Sequence, residues 1–286
     1  MKLEVISRQP DYPNAAPPLL FIHGANSGAW VWEQHFLGDM AERGFEAHAL
    51  SLRGHGESDG RVYLPFWSLN DFLEDVDQVV ATLDAPPILI GHSMGGMIAQ
   101  KYLQYGPVAG AVLMGSVPPL GLVHTGFDMA CRNPLLFHQI SLVQMFGPIF
   151  PWADSTVRQM LFSDAMPEAE ITRLMAHWQP ESMRAAMDMM WGEPPWHRHN
   201  TVPVLALGTE EDKFTPPNLV EATARHYHGD VRILSGIGHA MMLEPGWRQV
   251  TDAIADWVDD HFLQGSEPAA VGTGAVEYAI AASAPA

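Results

Sequence analysis

Ile88-Leu89-Ile90-Gly91-His92-Ser93-Met94-Gly95-Gly96-Met97-Ile98 joins an apolar run to a helical pattern through a serine set among glycines. The segment from Pro86 to Ile90 is short, apolar and rich in isoleucine, as expected of a strand buried on both faces. Met97 to Tyr105 has helical spacing and contains neither Gly nor Pro. A G-x-S-x-G run by itself also occurs in ordinary tight turns; here strand, turn and helix fall in the order that a nucleophile elbow demands. In such a turn the serine takes a strained backbone conformation that lifts its hydroxyl clear of both elements and leaves the next N–H free. Ser93 is therefore the first candidate for covalent chemistry.

Outward from this stretch, strand-like and helix-like segments alternate. Leu19 to His23, Ala47 to Ser51, Pro87 to Ile90, Ala111 to Met114, Val202 to Gly208 and Val231 to Ser235 read as short buried strands bounded by Gly, Pro or polar residues. Trp32 to Arg43, Leu69 to Leu83, Met97 to Tyr105, Pro217 to Tyr227 and Pro245 to Leu263 carry apolar residues at intervals of three and four, which predicts helices. The alternation predicts an α/β fold, a mainly parallel sheet with helices on both faces joined by right-handed crossovers. Functional groups then collect in loops beyond the carboxyl ends of the strands.

A chain of 286 residues can bury a large core as one domain with an insertion. Its formal charge of -18 would repel phosphate backbones and anionic lipid surfaces, which argues against a nucleic-acid partner and fits high solubility. Met1-Lys2-Leu3-Glu4 leads into a strand-like piece rather than a signal peptide, and no apolar run approaches the length of a membrane span. The single Cys131 excludes an internal disulfide and fits a reducing compartment, so a cytoplasmic location is expected.

A neutral serine is a poor nucleophile; a histidine must take its proton, and a carboxylate must hold that imidazole in the right tautomer. Two loops after strands offer these groups: Gly208-Thr209-Glu210-Glu211-Asp212-Lys213-Phe214-Thr215-Pro216, and Gly236-Ile237-Gly238-His239-Ala240-Met241-Met242. The order is Ser93, Asp212, His239. Glu210 and Glu211 adjoin Asp212, and either is an alternative acid on residue type alone.

With these motifs together, and with His23-Gly24-Ala25 after the first clear strand and Arg53-Gly54-His55-Gly56-Glu57-Ser58 after the second, the chain resembles the α/β-hydrolase superfamily, in its lidded, esterase-like branch. The resemblance covers roughly residues 19 to 263. It implies Ser93 as nucleophile, His239 as general base and acid, Asp212 as orienting carboxylate, and an oxyanion hole at the backbone N–H groups of Ala25 and Met94. Two such donors are commonly worth about 3 kcal/mol each in barrier height. The interval from Asp212 to Pro216 favours Asp212 over its glutamate neighbours, and Asp128 is a distant alternative, because some relatives place their acid after the preceding strand. Many relatives carry aspartate where Ser51 stands, a position expected to be structural.

Other histidines have plainer readings. His197-Arg198-His199 and His226-Tyr227-His228 have a spacing seen in some metal sites, but no Cys or carboxylate cluster accompanies them; they are expected to be loop or helix-end residues, and no metal is expected. His23 and His92 are expected to orient loops or line the pocket, and His55 to hold its turn. Arg53 and Glu57 read as local structural partners rather than substrate binders.

Pro118 to Asn200 is too long for one crossover helix and is expected to form a helical lid between core segments 1–117 and 201–264, with 265–286 a flexible tail. Its methionines and tryptophans, Met129, Met145, Trp152, Met160, Met175, Trp178, Met187, Met189, Met190 and Trp191, suit either an adaptable apolar substrate surface or the lid's own core. Arg132, Arg158, Arg173, Arg184 and Arg198 could pair with an acidic substrate if one turned inward. The expected activity is hydrolysis of a carboxylic ester with an apolar acyl or alcohol part through an acyl-serine, on a small-molecule substrate and without a cofactor. Related triads act on lactones, thioesters and carbon-carbon bonds or form peracids, and a binding or receptor protein on the same scaffold is the reading from another class. Ser93 stands where haloalkane dehalogenases and epoxide hydrolases have aspartate, and residues 118–200 lack the lysine of related hydroxynitrile lyases.

Overall fold

The computed structural model describes residues 1–146, 153–190 and 202–263, excepting the side chains at positions 124, 128 and 143–146. Seven strands form one sheet: β1 (Glu4–Arg8), β2 (Leu19–Ile22), β3 (Ala47–Ser51), β4 (Ile88–His92), β5 (Gly110–Met114), β6 (Val204–Thr209) and β7 (Asp230–Leu234). Their order is β1-β3-β2-β4-β5-β6-β7; β1 is antiparallel to β3, and every other pairing is parallel. The chain builds outward from β2 to β3, then returns to place β4 on the opposite side of β2. That reversal puts a crevice at the carboxyl ends of β2 and β4, where ligands of open α/β sheets bind. His23-Gly24-Ala25 and Ser93 follow those two ends.

Period-two side-chain alternation divides the core. Leu19 and Phe21 of β2 face one cluster with Trp32, Phe36, Ile254 and Trp257, while Leu20 and Ile22 face the other with Phe72, Val76, Ile98 and Tyr102. The first face is covered by α1 (Trp30–Glu33), α2 (Phe36–Glu42) and α11 (Trp247–Val258), the second by α3 (Leu69–Val80), α4 (Met94–Tyr102) and α10 (Pro217–Tyr227). The helix α3 starts where Ser68 and Asp71 form a reciprocal capping box, and it buries Leu69, Phe72, Leu73, Val76, Val79 and Val80 along one stripe.

Three details depart from expectation. The helix expected over Trp32 to Arg43 is broken at Gln34-His35, where His35 leaves helical geometry (φ -144°) and lies flat against Trp247 at 4.7 Å. Helix α4 begins at Met94, immediately after Ser93, rather than at Met97. The last strand, β7, is a half-exposed edge and not a buried strand, because no strand pairs with its outer side among the described residues.

Between β5 and β6 lie α5 (Leu122–Arg132), α6 (Pro134–Phe146), α7 (Ala153–Leu161), α8 (Glu168–Met175) and α9 (Met183–Met190). This helical insertion has small cores of its own that also reach the main domain. Phe162, Met166, Ile171 and Leu174 pack with Ala240, and Met129, Leu136 and Met160 pack with Phe214. Met189 joins the sheet-face core, whereas Trp178, Met187 and Met190 are exposed. Met145, Trp152 and Trp191 fall outside the described side chains, as do His197-Arg198-His199 and the tail. No helix among the described residues is long and apolar enough to cross a membrane.

Candidate active site

Ser93 has φ 52° and ψ -113°, a strained conformation for a residue with a side chain. The surroundings hold it there. Its N–H donates to the Met114 carbonyl at 2.9 Å, and its carbonyl accepts from Val117 N–H at 3.2 Å and from Gly96 N–H at 3.1 Å. Flanking glycines are sterically required: a Cβ on Gly91 would lie 2.3 Å from the Gly95 carbonyl oxygen, and one on Gly95 would lie 2.3 Å from the Ile22 carbonyl oxygen. The turn between β4 and α4 is therefore packed against the end of β2 with no room for a methyl group. Met94 N–H, in the first turn of α4, belongs to the set of helix amides that lack an intrahelical acceptor.

Asp212 and His239 are brought together from the loops after β6 and β7. His239 donates Nδ1–H to Asp212 Oδ2 at 2.7 Å, and both side chains are buried. The second carboxylate oxygen accepts from the N–H groups of Phe214 at 2.7 Å and Thr215 at 2.8 Å. Three-point anchoring of this kind fixes the imidazole tautomer with Nε2 unprotonated, the form a proton acceptor needs. The Phe214 ring lies 5.3 Å from the His239 ring.

Glu211 does different work from Asp212. Its carboxylate accepts from Gly236 N–H at 2.7 Å and Ile237 N–H at 3.3 Å, which holds the loop that carries His239. The Asp128 side chain lies outside the described residues. Two supports of the site were not singled out in the sequence. Gly115 (φ 47°) sits where a Cβ would come within 3.2 Å of Asp212 Oδ2 and 3.3 Å of His239 Cε1. Glu244 is fully buried and accepts from Gly238 N–H at 3.2 Å and from Ser163 N–H and Oγ–H at 2.5 and 2.8 Å. A lone carboxylate directly after the apolar run from Ala240 to Leu243 was the available signal for Glu244.

Both motif histidines are neutral by virtue of burial. His92 donates Nε2–H to the His239 carbonyl at 3.0 Å, and desolvation together with the nearby His239 holds its pKa well below the ordinary value. His23 donates Nδ1–H to the Gly24 carbonyl at 2.7 Å and accepts the Leu52 N–H on Nε2 at 3.1 Å. Burial lowers its pKa to about 3. A Cβ on Gly24 would fall 2.7 Å from His92 Nδ1 and 3.2 Å from Ser93 Cβ, so the Gly24-Ala25 loop lies directly against the serine.

Ser51 and Arg53, the other polar motif residues, make their contacts within the core. Ser51 Oγ–H donates to Glu4 at 2.6 Å and the hydroxyl accepts from Ala29 N–H at 2.8 Å. Arg53 pairs with Asp71, Glu74 and the buried Asp75, at 3.3, 3.1 and 2.8 Å. Arg158, Arg173 and Arg184 pair with Glu168, Glu170 and Asp188, and Arg132 donates to Asn218. His226 and His228 sit at the end of α10, and among the described residues no group of three or more His, Cys, Asp or Glu is placed to hold a metal ion.

The model of the alpha/beta hydrolase family matches residues 19–256, most of the chain and every element that builds this site. The chain belongs to that family. This α/β-hydrolase is 27% identical to a non-heme chloroperoxidase of Burkholderia pyrrocinia over 258 residues, which cover 80% of the chain and 87% of that protein. It is 26% identical over 225 residues to an uncharacterised abhydrolase domain-containing protein of Dictyostelium discoideum, covering 75% of this hydrolase but only 23% of that much longer protein. An esterase from Exiguobacterium antarcticum superposes with a TM-score of 0.70 at 19% identity, over 90% of this chain and 95% of the other, a likeness of fold.

Proposed function

We propose that this hydrolase cleaves a carboxylic ester with an apolar acyl or alcohol part through an acyl-Ser93 intermediate. The observation that carries the reading is the buried His239-Asp212 pair, bonded at 2.7 Å, on the loops beside a serine held at φ 52°. Ser93 Oγ attacks the ester carbonyl carbon as His239 Nε2 takes the hydroxyl proton. The resulting oxyanion is stabilised by the N–H groups of Ala25 and Met94. Collapse expels the alcohol, which receives the proton from His239, and leaves the acyl-serine. Water, deprotonated by His239, then attacks the acyl carbon, and departure of Ser93 Oγ with that proton restores the enzyme.

In this reading, residues 118–200 act as a lid on a core formed by 1–117 and 201–264. The Met129, Leu136 and Met160 cluster reaches His239 through Phe214, so the insertion contributes apolar surface next to the reacting centre. The likeness to the chloroperoxidase favours a second acceptor for the same acyl-serine: hydrogen peroxide in place of water would give a peracid.

The test is hydrolysis of p-nitrophenyl esters from acetate to dodecanoate by wild type, Ser93→Ala and His239→Ala, with and without hydrogen peroxide. Each variant is expected to lose most activity, on the order of 10⁴-fold or more in kcat, while staying folded. Substantial hydrolysis by Ser93→Ala would overturn the acyl-enzyme mechanism.

A further inference from the structure

One group of the polar contacts that tie the helical insertion to the core meets the residues just after Ala25. Asn26 has φ 62°, the left-handed region that a residue with a side chain enters at a cost. Residues 179 to 181, between α8 and α9, hold it on every side. Its N–H donates to Glu181 Oε2 at 3.0 Å, its side-chain amide donates to the Gln179 carbonyl at 2.9 Å, and its carbonyl accepts from Gln179 N–H at 3.2 Å.

The grip extends one residue further. Gln179 Nε2–H donates to the Ser27 carbonyl, and Ser27 Oγ–H donates to the Gly24 carbonyl at 2.9 Å. That carbonyl belongs to the peptide unit whose other end is the Ala25 N–H. Because the unit is planar, whatever orients the Gly24 oxygen also aims the Ala25 N–H. Gln179 is in turn braced by Arg61, which donates to its Oε1 at 3.0 Å, and Glu181 by His55, whose Nε2 lies 3.2 Å from Oε2. Gln179, Ser27 and His55 are buried, so water does not readily replace bonds broken here.

We propose that Gln179 and Glu181 are positioning residues for acyl transfer: through Asn26 and Ser27 they orient the Gly24-Ala25 peptide, so the helical insertion supplies part of the geometry that stabilises the oxyanion. This role rests on the reading of Ala25 N–H as an oxyanion donor. Neither residue touches the reacting atoms in this account. The groups act through the backbone they hold, and their loss falls on the transition state, in which the oxyanion exists, rather than on substrate affinity.

The experiment measures kcat and KM for p-nitrophenyl butyrate, and the inhibition constant of an aliphatic trifluoromethyl ketone, which adds to a serine as a tetrahedral oxyanion. Full-length wild type, Ser93→Ala, Glu181→Ala, Glu181→Gln and Gln179→Ala are compared, with circular dichroism to confirm folding. Misplacing a donor by a fraction of an ångström is expected to lower kcat about 10- to 100-fold in Glu181→Ala and Gln179→Ala. KM should stay within about threefold, the ketone should weaken in proportion to kcat, and Glu181→Gln, which keeps an acceptor for Asn26 N–H, should recover most of the rate. Near-normal kcat in both alanine variants, or a loss confined to KM with unchanged ketone affinity, overturns the positioning role while Ser93-dependent turnover by wild type keeps the proposed function standing. Absence of Ser93-dependent turnover in wild type overturns both. If Glu181→Ala does not fold, the same readings on Gln179→Ala and on Glu181→Asp, which keeps the charge but withdraws the oxygens by one carbon, decide the matter.

Discussion

Asp212 and Glu211 are adjacent carboxylates with divergent surroundings. Asp212 meets the His239 ring and two backbone N–H groups, while Glu211 meets only backbone N–H groups of the loop before the histidine. Asp212→Asn would present an amide where an acceptor for Nδ1–H is needed and favour the wrong imidazole tautomer. Its kcat is expected to fall by about 10³- to 10⁴-fold, whereas Glu211→Gln, which still offers an acceptor oxygen, should retain activity within about tenfold. Steady-state kinetics of the two variants decides the assignment, and the opposite ranking would move the acid to Glu211. The sequence could offer three neighbouring carboxylates but not choose among them by residue type, because the choice depends on which one the loop turns toward a histidine 27 positions later.

At the scale of elements, the site depends on how closely α4 approaches β2. Gly95 permits that approach, since a Cβ there would meet the carbonyl oxygens of Ile22 and His23 at 2.3 and 2.6 Å. Gly95→Ala should therefore destabilise the fold by about 1–3 kcal/mol through overpacking. It should also lower activity, because the Gly24-Ala25 loop continues from the displaced strand end. Gly38, exposed within α2, is the contrasting case: nothing lies within 4 Å of its added Cβ, so Gly38→Ala is expected to stabilise by about 0.5–1 kcal/mol. Urea unfolding of both variants tests the pair, and equal destabilisation would show that the packing argument is wrong. Most elements were legible from periodicity, since Leu69 to Val80 and Trp247 to Val258 carry clear apolar stripes. The break at Gln34-His35 was not, because it accompanies stacking on Trp247, more than 200 residues away in sequence.

The whole molecule senses pH through histidines that its core keeps neutral. Unfolded, His23 titrates near 6.5; folded, it resists protonation down to about 3, and His92 is shifted in the same direction. Between those values the unfolded chain binds protons that the folded chain does not. The contribution of His23 to stability is therefore complete above pH 6.5 and is lost as pH falls through 6.5 toward about 3, and that of His92 is lost in the same direction. The limiting slope is about 1.4 kcal/mol per pH unit for each ring. Urea unfolding at pH 7.5 and 5.5 should show the loss, and His23→Gln should show a shallower one; an unchanged slope would count against the neutral buried ring. By itself the sequence determined the alternation of strands and helices, the elbow at Ser93, and the order of serine, carboxylate and histidine, because these are local patterns with short periods. Only the tertiary structure showed the Asp212 carboxylate bonded to the His239 ring while Glu211 holds the loop before it, Gly115 leaving room beside the pair, Glu244 holding the Gly238 N–H, and Gln179 and Glu181 gripping the loop beside Ala25. Those facts rest on contacts between segments far apart in the chain, and only packing determines which distant groups meet.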